Sequence, residues 1–369
     1  MKDTELIVWL TLLGTPGIGL KTARNLMHGV KDVDEFMLFD ILDFRERGLT
    51  AELAGRVKQS FTNCHGEETA HRLQHSRVKV VGENDGNYPA LLRHIADPPP
   101  FLTYLGTGVA KEDTIVAIVG TRSCTAYGRK VAIEAAQDLS RQGVIVASGL
   151  AIGIDQAAHT GVLQSAGNTI AVLGSGLHEV YPPENRNLAK QILASGGTLY
   201  SEFLPWQGPE RHRFVQRNRV ISGMSRAVII VEAGEKSGAL ITADFALSQN
   251  RDVAVVPGSI YTSKAQGCHA LLAQGALPLL STRGVLQQLQ ISIAKTVTAA
   301  TCGNLDKPSV RDERIKQILA HLQLGSASID DLKRVKSLQD LSVAELSGIL
   351  TRMEIDGLLM RIGPGLYGV

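Results

Sequence analysis

The sequence of 369 residues has few cysteines, no long apolar run and little net charge. Its four cysteines lie far apart and form no C-x-x-C pair, which argues against a structural zinc site or a redox dithiol. So few cysteines in a long chain are typical of a reducing compartment. No stretch approaches about 18 uninterrupted apolar residues, so we expect no membrane span and a soluble, cytoplasmic protein.

The motifs of common nucleotide-binding and hydrolytic enzymes are also missing. The predicted parallel sheet has no G-x-G-x-x-G after its first strand, and the chain has no Walker A lysine loop and no G-x-S-x-G elbow. The second strand of this sheet, predicted over residues 144–148, ends in Ala147-Ser148 and not in the acidic residue that would bind a ribose. These absences argue against dinucleotide cofactors and phosphoryl transfer, and we expect no cofactor.

The net charge of +2 is distributed unevenly along the chain. Residues 76–290 carry 19 basic and 16 acidic side chains, whereas residues 1–75 carry 9 and 11. Residues 310–369 carry 8 of each sign. Binding of a polyanion must therefore come from local clusters of basic residues and not from the bulk charge.

Periodicity divides the chain into four segments and predicts an α/β fold. Residues 76–290 alternate short β-branched runs with amphipathic helical stretches, which is typical of a Rossmann-like domain with a parallel sheet covered on both faces. Residues 1–75 have helical spacing and predict a helical domain. Residues 291–309 lack periodicity and predict a linker. Residues 310–369 predict a winged-helix-like domain with three helices and a terminal hairpin at GPG.

Each flanking domain leaves two roles open. PGIGLKTARNL resembles the loop and second helix of a helix-hairpin-helix motif, with Gly17-Ile18-Gly19 in the loop. Such loops touch DNA phosphates through backbone N–H groups, but the acidic balance of residues 1–75 leaves a packing or interaction role equally open. The zero net charge of residues 310–369 likewise leaves open a protein partner instead of DNA.

Glycine and hydroxyl residues follow nearly every strand of the predicted parallel sheet. Ligands of such sheets bind beyond the carboxyl ends of the strands, where glycine allows close approach and helix N-termini present free N–H groups. The pattern predicts a cradle for phosphate or another anion, although glycine after a strand is also ordinary turn chemistry. The candidate residues are Gly120-Thr121-Arg122, Ser148-Gly149, Gly174 and Lys236-Ser237-Gly238.

The strongest local signal is ERHRFVQRNRVISGMSR over 210–226, which holds five arginines against one acid. Arginine binds phosphate with a planar fork, and an aromatic ring such as that of Phe214 can stack on an unpaired base. Arginines around an aromatic residue fit single-stranded nucleic acid better than duplex. The alternative is a solvated helix face with Phe214 in the core and some arginines paired to carboxylates.

Acid–base and metal chemistry have weaker support in the sequence. Glu202 and Glu232 follow strands and could serve as an acid–base pair, but we expect each to form a salt bridge with one of the arginines. His159 follows Asp155 at i+4 without an evident third ligand, so we expect no metal site.

With these motifs assembled, residues 76–290 resemble the DNA-processing protein A family, also called DprA or Smf. The resemblance rests on motifs that are specific in order and spacing. They are VGTR (119–122), SGLAIGID (148–155), GSGL…YPPEN (174–185), SEF (201–203), RFVQRNRVISGMS (213–225), EAGEKSGALITA (232–243) and VPGS…GCHALLAQGA (256–276). The flanking segments fit a sterile-alpha-motif-like domain before and a winged-helix-like domain after.

The resemblance implies a non-enzymatic protein of natural transformation and DNA recombination. Such a protein binds and protects single-stranded DNA, helps a RecA-type recombinase load onto it, and dimerises through its central domain. By motif position, Arg122 would contact phosphate, Arg211 would add a basic contact and Phe214 would support a base. The resemblance also implies DNA-binding roles for Arg217, Asn218 and Arg219 of the RNR motif and for Lys236, which is adjacent to the pocket. Val215 stands where the family often has proline, which leaves the local backbone path open.

An enzyme on a related fold is the alternative. Lysine-decarboxylase-like phosphoribohydrolases share a related sheet and bind a nucleoside monophosphate at the same sheet edge. Their P-G-G-x-G-T-x-x-E signature is absent here, since the corresponding stretch reads VEAGEKSGALITA.

Overall fold

The computed structural model describes residues 1–30, 32–291, 317–318, 321–322, 327–335, 338–355, 359–363 and 366–368. They belong to two compact units, Met1–Ile293 and Ala294–Val369. The predicted linker over 291–309 lies outside the described residues except for Ile291, as do residues 310–316 of the predicted winged-helix-like domain. In the described part of the chain, no helix combines the length and apolar character needed to cross a membrane.

The first unit is built around one nine-stranded sheet. Its strands are β1 (Lys79–Gly82), β2 (Phe101–Gly106), β3 (Ile115–Val119), β4 (Ile145–Ser148), β5 (Thr169–Val172), β6 (Thr198–Ser201), β7 (Ala227–Ile230), β8 (Asp252–Val255) and β9 (Leu277–Pro278). Their spatial order is β1-β2-β6-β5-β4-β3-β7-β8-β9. From β6 to β9 all neighbours pair parallel, whereas β1 and β6 each pair antiparallel with β2. This largely parallel sheet confirms the predicted α/β, Rossmann-like fold class.

The helices of this unit fall before, between and after the strands. They are α1 (Asp3–Gly14), α2 (Leu20–Met27), α3 (Val33–Met37), α4 (Ile41–Glu46), α5 (Ala51–Thr62), α6 (His65–Gln74), α7 (Ala126–Arg141), α8 (Ile154–Gln164), α9 (Arg186–Ala194), α10 (Arg211–Met224), α11 (Gly238–Ser248), α12 (Gln266–Ala273) and α13 (Val285–Gln288).

Alternate residues of the central strands enter two different cores, so both faces of the sheet are covered. Ile115 and Val119 of β3 pack in a core with residues of α10, α11 and α12. Val116 and Ile118 of the same strand pack on the opposite face with residues of α7, α8 and α13. Strands buried on both faces are continuously apolar, which is why the sequence showed apolar runs and not alternation.

The chain reverses its direction of winding at β3. From β3 it proceeds through β4, β5 and β6 toward one edge of the sheet, and it returns to place β7 on the other side of β3. Two capped helices begin near this reversal. Oγ1 of Thr125 accepts a hydrogen bond from the Gly128 N–H (3.0 Å) before α7, and Oγ of Ser237 accepts one from the Ala239 N–H (3.3 Å) before α11.

Helices α1–α6 form a helical layer with its own core, in which Phe36 and Phe44 are fully buried. The loop that resembles a helix-hairpin-helix motif packs into this core. Ile18 is buried, and Gly17 has φ +93° with a Cβ position 3.0 Å from Cδ1 of Leu53. The positive φ and the close packing therefore explain glycine at position 17 without any contact to DNA.

The second unit combines a small antiparallel sheet with helices in the residues that the structure describes. Its elements are β10 (Ala327–Ser328), α14 (Ile329–Lys333), α15 (Val343–Ile355), β11 (Met360–Gly363) and β12 (Leu366–Gly368). The strands pair antiparallel in the order β10-β12-β11. Ser328 begins α14 with a capping box, because Ser328 and Asp331 exchange side-chain to backbone hydrogen bonds. Assignment of the whole segment as a winged helix stays a prediction.

Candidate functional site

A cleft of about 1130 Å³ opens at the carboxyl ends of β3 and β7, where the sheet reverses its winding. Doubly wound sheets bind their ligands at such a switch point. Ten of the fourteen candidate residues line this cleft, and they come from three separate stretches of the chain. They are Gly120, Thr121, Arg122, Arg211, Phe214, Arg217, Asn218, Lys236, Ser237 and Gly238.

Glycines shape two sides of the cleft for different reasons. Gly120 directly follows β3, and a Cβ on it would lie 2.6 Å from Cγ1 of Ile154, so tight packing requires glycine there. Gly238, the first residue of α11, has no atom within 4 Å of the corresponding position. Internal packing therefore does not demand glycine at Gly238, and the open backbone leaves room for a ligand to approach closely.

One face of α10 borders the cleft. Residues 211, 214, 215 and 218 all line it, and their spacing of three or four places them on the same side of a helix. Arg211 is exposed at the first turn and Phe214 is half-buried. Nδ2 of Asn218 donates a hydrogen bond to the Gly238 carbonyl (3.4 Å), which links α10 to the start of α11.

The Phe214 ring is held between an aromatic and a cationic neighbour. Its centroid lies 5.4 Å from that of Tyr181 at an interplanar angle of 48°, and 5.9 Å from Cζ of Arg122. Gly174 lies behind it, and a Cβ on that residue would be 2.6 Å from Cδ1 of Phe214. The ring is therefore fixed in position while one side remains open to the cleft.

Arg217 points inward and supports the loop after β4. Its Nη1 donates hydrogen bonds to the carbonyl groups of Gly149 (2.8 Å) and Val172. Burial lowers the pKa of Arg217 to about 10, opposed by the charge of Asp155, so the guanidinium stays cationic at neutral pH. Burial raises the pKa of Asp155, and the charge of Arg217 opposes that shift. Arg217 is thus a buried cation of the cleft lining, and its Nη1 is bound to backbone carbonyls.

Arg219 is buried and lies outside the cleft lining. Its guanidinium forms ion pairs with Glu202 and with Asp97 (3.2 Å). The expected salt bridge of Glu202 to an arginine is therefore confirmed. The same expectation for Glu232 is wrong: its carboxylate accepts hydrogen bonds from the backbone N–H and the hydroxyl of Thr125. Burial raises the pKa of Glu202, with the charge of Arg219 opposing.

The remaining candidates are buried supports next to the cleft. Oγ of Ser148 donates to the Ile118 carbonyl (2.6 Å), and the Gly149 N–H donates to Oδ2 of Asp155 (3.0 Å). Gly174 is the residue behind Phe214. These three positions are close to the cleft lining without forming it.

The accessible charge of the cleft is positive. Arg122, Arg211 and Lys236 are exposed and Lys264 is half-buried, and none of the four forms an ion pair among the described residues. Glu235 is the exposed carboxylate among the lining residues. Four cations against one accessible carboxylate create a site for an anion.

His159 is a buried histidine whose contacts indicate a role in packing and not in metal binding. Nδ1 of His159 lies 2.8 Å from Oγ1 of Thr169, and the side chain is fully buried. Burial lowers the pKa of His159 to about 3, and the positive charge of Arg217 adds to this shift. In the described part of the chain, no group of three histidine, cysteine or acidic side chains is placed to hold a metal ion.

Sequence reasoning missed Tyr181 and Lys264 as cleft residues. Tyr181 belongs to YPPEN after β5, and Lys264 lies in the loop after β8. Both loops follow the carboxyl ends of parallel strands, so the rule that predicted the glycine cradle also applied to them. Their distance in sequence from the arginine-rich helix hid their common location.

The fold and the cleft define a Rossmann-like protein with a cationic, glycine-bordered cleft at the switch point of its sheet. The chain belongs to the DNA recombination-mediator protein A family, whose model matches residues 79–290. It is 37% identical over 398 residues to Protein Smf of Synechocystis, covering 99% of each chain. It is 41% identical over 206 residues to DNA processing protein DprA of Streptococcus pneumoniae, covering 56% of this chain and 72% of that protein.

Solved structures agree with this assignment. The X-ray structure of DNA processing protein A from Streptococcus pneumoniae matches with a TM-score of 0.67 and 30% identity, covering 79% of this chain and 99% of that one. The protein of that name from Helicobacter pylori matches with a TM-score of 0.52 and 28% identity, covering 58% and 97%; that structure concerns its single-stranded DNA binding mode. The resemblance seen in the sequence is therefore confirmed.

Proposed function

We propose that the chain binds single-stranded DNA in the cleft without breaking any bond. Phe214 carries the proposal, since it is an aromatic ring fixed beside Arg122 with one side open among unpaired cations. A base can stack on such a ring only when it is unstacked from its neighbours, as in a single strand. The Helicobacter pylori protein, whose structure concerns single-stranded DNA binding, supports the same ligand class.

The cleft residues divide into contacts and supports. Arg122, Arg211 and Lys236 would bind backbone phosphates, because their charged groups are exposed and have no internal ion partner. The backbone N–H of Gly238 in the first turn of α11 would add a contact. The N–H groups of Thr121 and Ser237 already donate to the carbonyls of Glu232 (2.7 Å) and Gly234 (3.0 Å). Arg217 and Arg219 would act indirectly, by holding the β4 loop and the α10 helix in place.

The wider role follows from family membership. We expect the chain to protect incoming single strands in natural transformation and recombination, and to help a RecA-type recombinase load onto them in the cytoplasm. We also expect a homodimer through the central domain. Membership in a family described as DNA recombination mediators supports this role.

A nucleotide-cleaving phosphoribohydrolase is the competing function. The two carboxylates that could serve acid–base chemistry are both engaged, Glu202 with Arg219 and Glu232 with Thr125. Their commitment to internal partners supports a binding role over catalysis. Release of free base from nucleoside monophosphates by purified protein, lost in a Glu232→Gln variant, would favour the enzyme instead.

The proposal is tested by comparing the affinities of single-stranded and duplex oligonucleotides for the full chain at low salt. Arg122→Ala should weaken single-strand binding by about 1–3 kcal/mol, because it removes a charge-assisted phosphate contact. Arg129→Ala is the matched control, since Arg129 is exposed on the neighbouring turn of α7 but does not line the cleft. Equal affinities of the two variants, or a preference for duplex, would refute the proposed site.

A further inference from the structure

The turn after β8 exposes two large apolar side chains side by side. Tyr261 is 94% exposed and Ile260 is 74% exposed. A tyrosine offers a broad, stiff contact surface and loses little conformational freedom when it is covered. Ile260 and Tyr261, which lie on a loop at the ligand-binding edge of the sheet, therefore form a surface suited to binding another molecule.

The backbone of this turn is hydrogen-bonded although its apolar side chains are exposed. The backbone N–H of Tyr261 donates to Oγ of Ser259 (3.3 Å), and that of Thr262 donates to the Ser259 carbonyl (3.2 Å). Nε2 of His269 lies 3.0 Å from the Gly258 carbonyl oxygen at the start of the loop. The contact surface is thus held in place before a partner arrives, which reduces the entropic cost of binding.

The turn is continuous with the cleft. Ser263 and Lys264, two and three residues after Tyr261, both line the cleft, and Gln266 at the start of α12 does so too. Lys264 adds a positive charge to the cleft lining three residues after Tyr261. An anionic strand that leaves the cleft over Lys264 would next meet the Tyr261 ring.

We propose that the Ile260–Tyr261 turn is a second base-stacking site, which contacts bases of the same single strand beyond those held in the cleft. The inference rests on the proposed function, because the strand must first occupy the cleft. Stacking on Tyr261 accepts any base, since every base has a π face, so the site extends the footprint without adding sequence preference.

The test compares oligothymidylates of about 4 and about 16 nucleotides, which span the usual range of single-strand site sizes. Tyr261→Ala should weaken binding of the long oligonucleotide about tenfold, equivalent to about 1.4 kcal/mol, and leave the short one unchanged. Tyr261→Phe should bind as the wild type does, because it keeps the ring. Leu38→Ala is the control, since Leu38 is also highly exposed but lies in the helical layer.

A second measurement uses Tyr261→Trp in the full chain. Its fluorescence, taken as the difference from wild type, should be quenched by the long oligonucleotide and not by the short one. Unchanged long-strand affinity of Tyr261→Ala together with absent quenching would overturn the proposal. So would a shift of Tyr261→Ala to a smaller mass in sedimentation, with unchanged DNA affinity per protomer, because the turn would then contact a second copy of the chain.

Failure of the second site and failure of the cleft give different patterns. If Arg122→Ala weakens both oligonucleotides and Tyr261→Ala weakens neither, the cleft stands and the second site falls. If Arg122→Ala has no effect on either length, the proposed function itself is refuted.

Discussion

The guanidinium carbon of Arg72 lies 3.9 Å from the centroid of the Trp206 ring, which joins the helical layer to the segment leading into α10. Trp206 packs against the core of that layer. Five residues later α10 begins with Arg211, and Nη1 of Arg213 donates back to the Gly208 carbonyl (2.6 Å). The helical layer therefore helps to position the arginine and aromatic residues of the cleft.

This contact predicts that Arg72→Ala lowers the free energy of unfolding by about 0.5–1 kcal/mol, the range for a cation–π contact at an exposed site such as Arg72. It should also weaken single-strand binding modestly, because the segment before Arg211 loses its anchor. Denaturant unfolding and oligonucleotide titration measure the two effects. Arg56→Ala is the control, since it removes only an exposed pair with Glu52. A fall in stability without any change in DNA affinity would show that the helical layer does not position the cleft residues.

Replacement of the residue behind Phe214 should impair the cleft without removing any charge. In Gly174→Ala the new methyl group would lie 2.6 Å from Cδ1 and 3.1 Å from Cα of Phe214, so the ring must move. We expect single-strand affinity to fall by about 1–3 kcal/mol, the value of one base–aromatic stack. Gly55→Ala, whose Cβ meets no atom within 4 Å, is the control. Wild-type affinity in Gly174→Ala would show that Phe214 does not contact DNA.

Replacement of Gly238 at the start of α11 should affect DNA binding but not stability. Gly238→Ala creates no internal clash, so the thermal midpoint should stay the same or rise slightly. Single-strand affinity should nevertheless fall, because a methyl group would keep a phosphate away from the N-terminus of α11. Thermal unfolding and binding measured on the same preparation test both parts. Unchanged affinity would remove Gly238 from the interface.

The buried His159 predicts a loss of stability in mild acid. Its pKa in the folded chain is lowered to about 3 from an ordinary value of 6.5, so the unfolded chain binds a proton over this interval and the folded chain does not. Stability is therefore fully present well above pH 6.5 and falls as the pH is lowered, by about 2 kcal/mol in all by pH 5.

Denaturant unfolding at several pH values measures this effect as the difference between wild type and His159→Gln. The difference should shrink as the pH falls, because only the wild type has the buried imidazole. His75→Gln, which removes an exposed histidine, serves as the control. A wild-type and His159→Gln pair with parallel pH dependence would contradict the assigned environment.

Local periodicity was sufficient to predict the sheet and the cleft edge. Continuous β-branched runs identified β3 to β8, and the rule that ligands bind beyond the carboxyl ends of strands placed Gly120 and Lys236 at one edge of the sheet. β9 was missed, because it has two residues and one of them is Pro278. Its place in the sheet depends on pairing with β8, which no local pattern encodes.

The roles of the arginines on α10 depended on tertiary contacts. Arg219 is eight positions after Arg211, a rotation of about 80° at 3.6 residues per turn, whereas Arg217 is rotated by about 120° and still lines the cleft. Helical geometry alone could therefore not have separated Arg219 from the cleft residues. The partners of Arg219 could not be predicted, since Glu202 and Asp97 come from distant parts of the chain that meet only in the folded protein.

The central claim is that phosphates of a single strand bind the exposed cations of the cleft. Its most direct test is the dependence of single-strand affinity on salt between about 50 and 200 mM, for wild type and for the double variant Arg122→Ala/Arg211→Ala. Loss of two phosphate contacts should reduce the magnitude of the log–log slope by about 1.4, whereas Arg129→Ala should leave it unchanged. A double variant with the wild-type slope and affinity would contradict the claim.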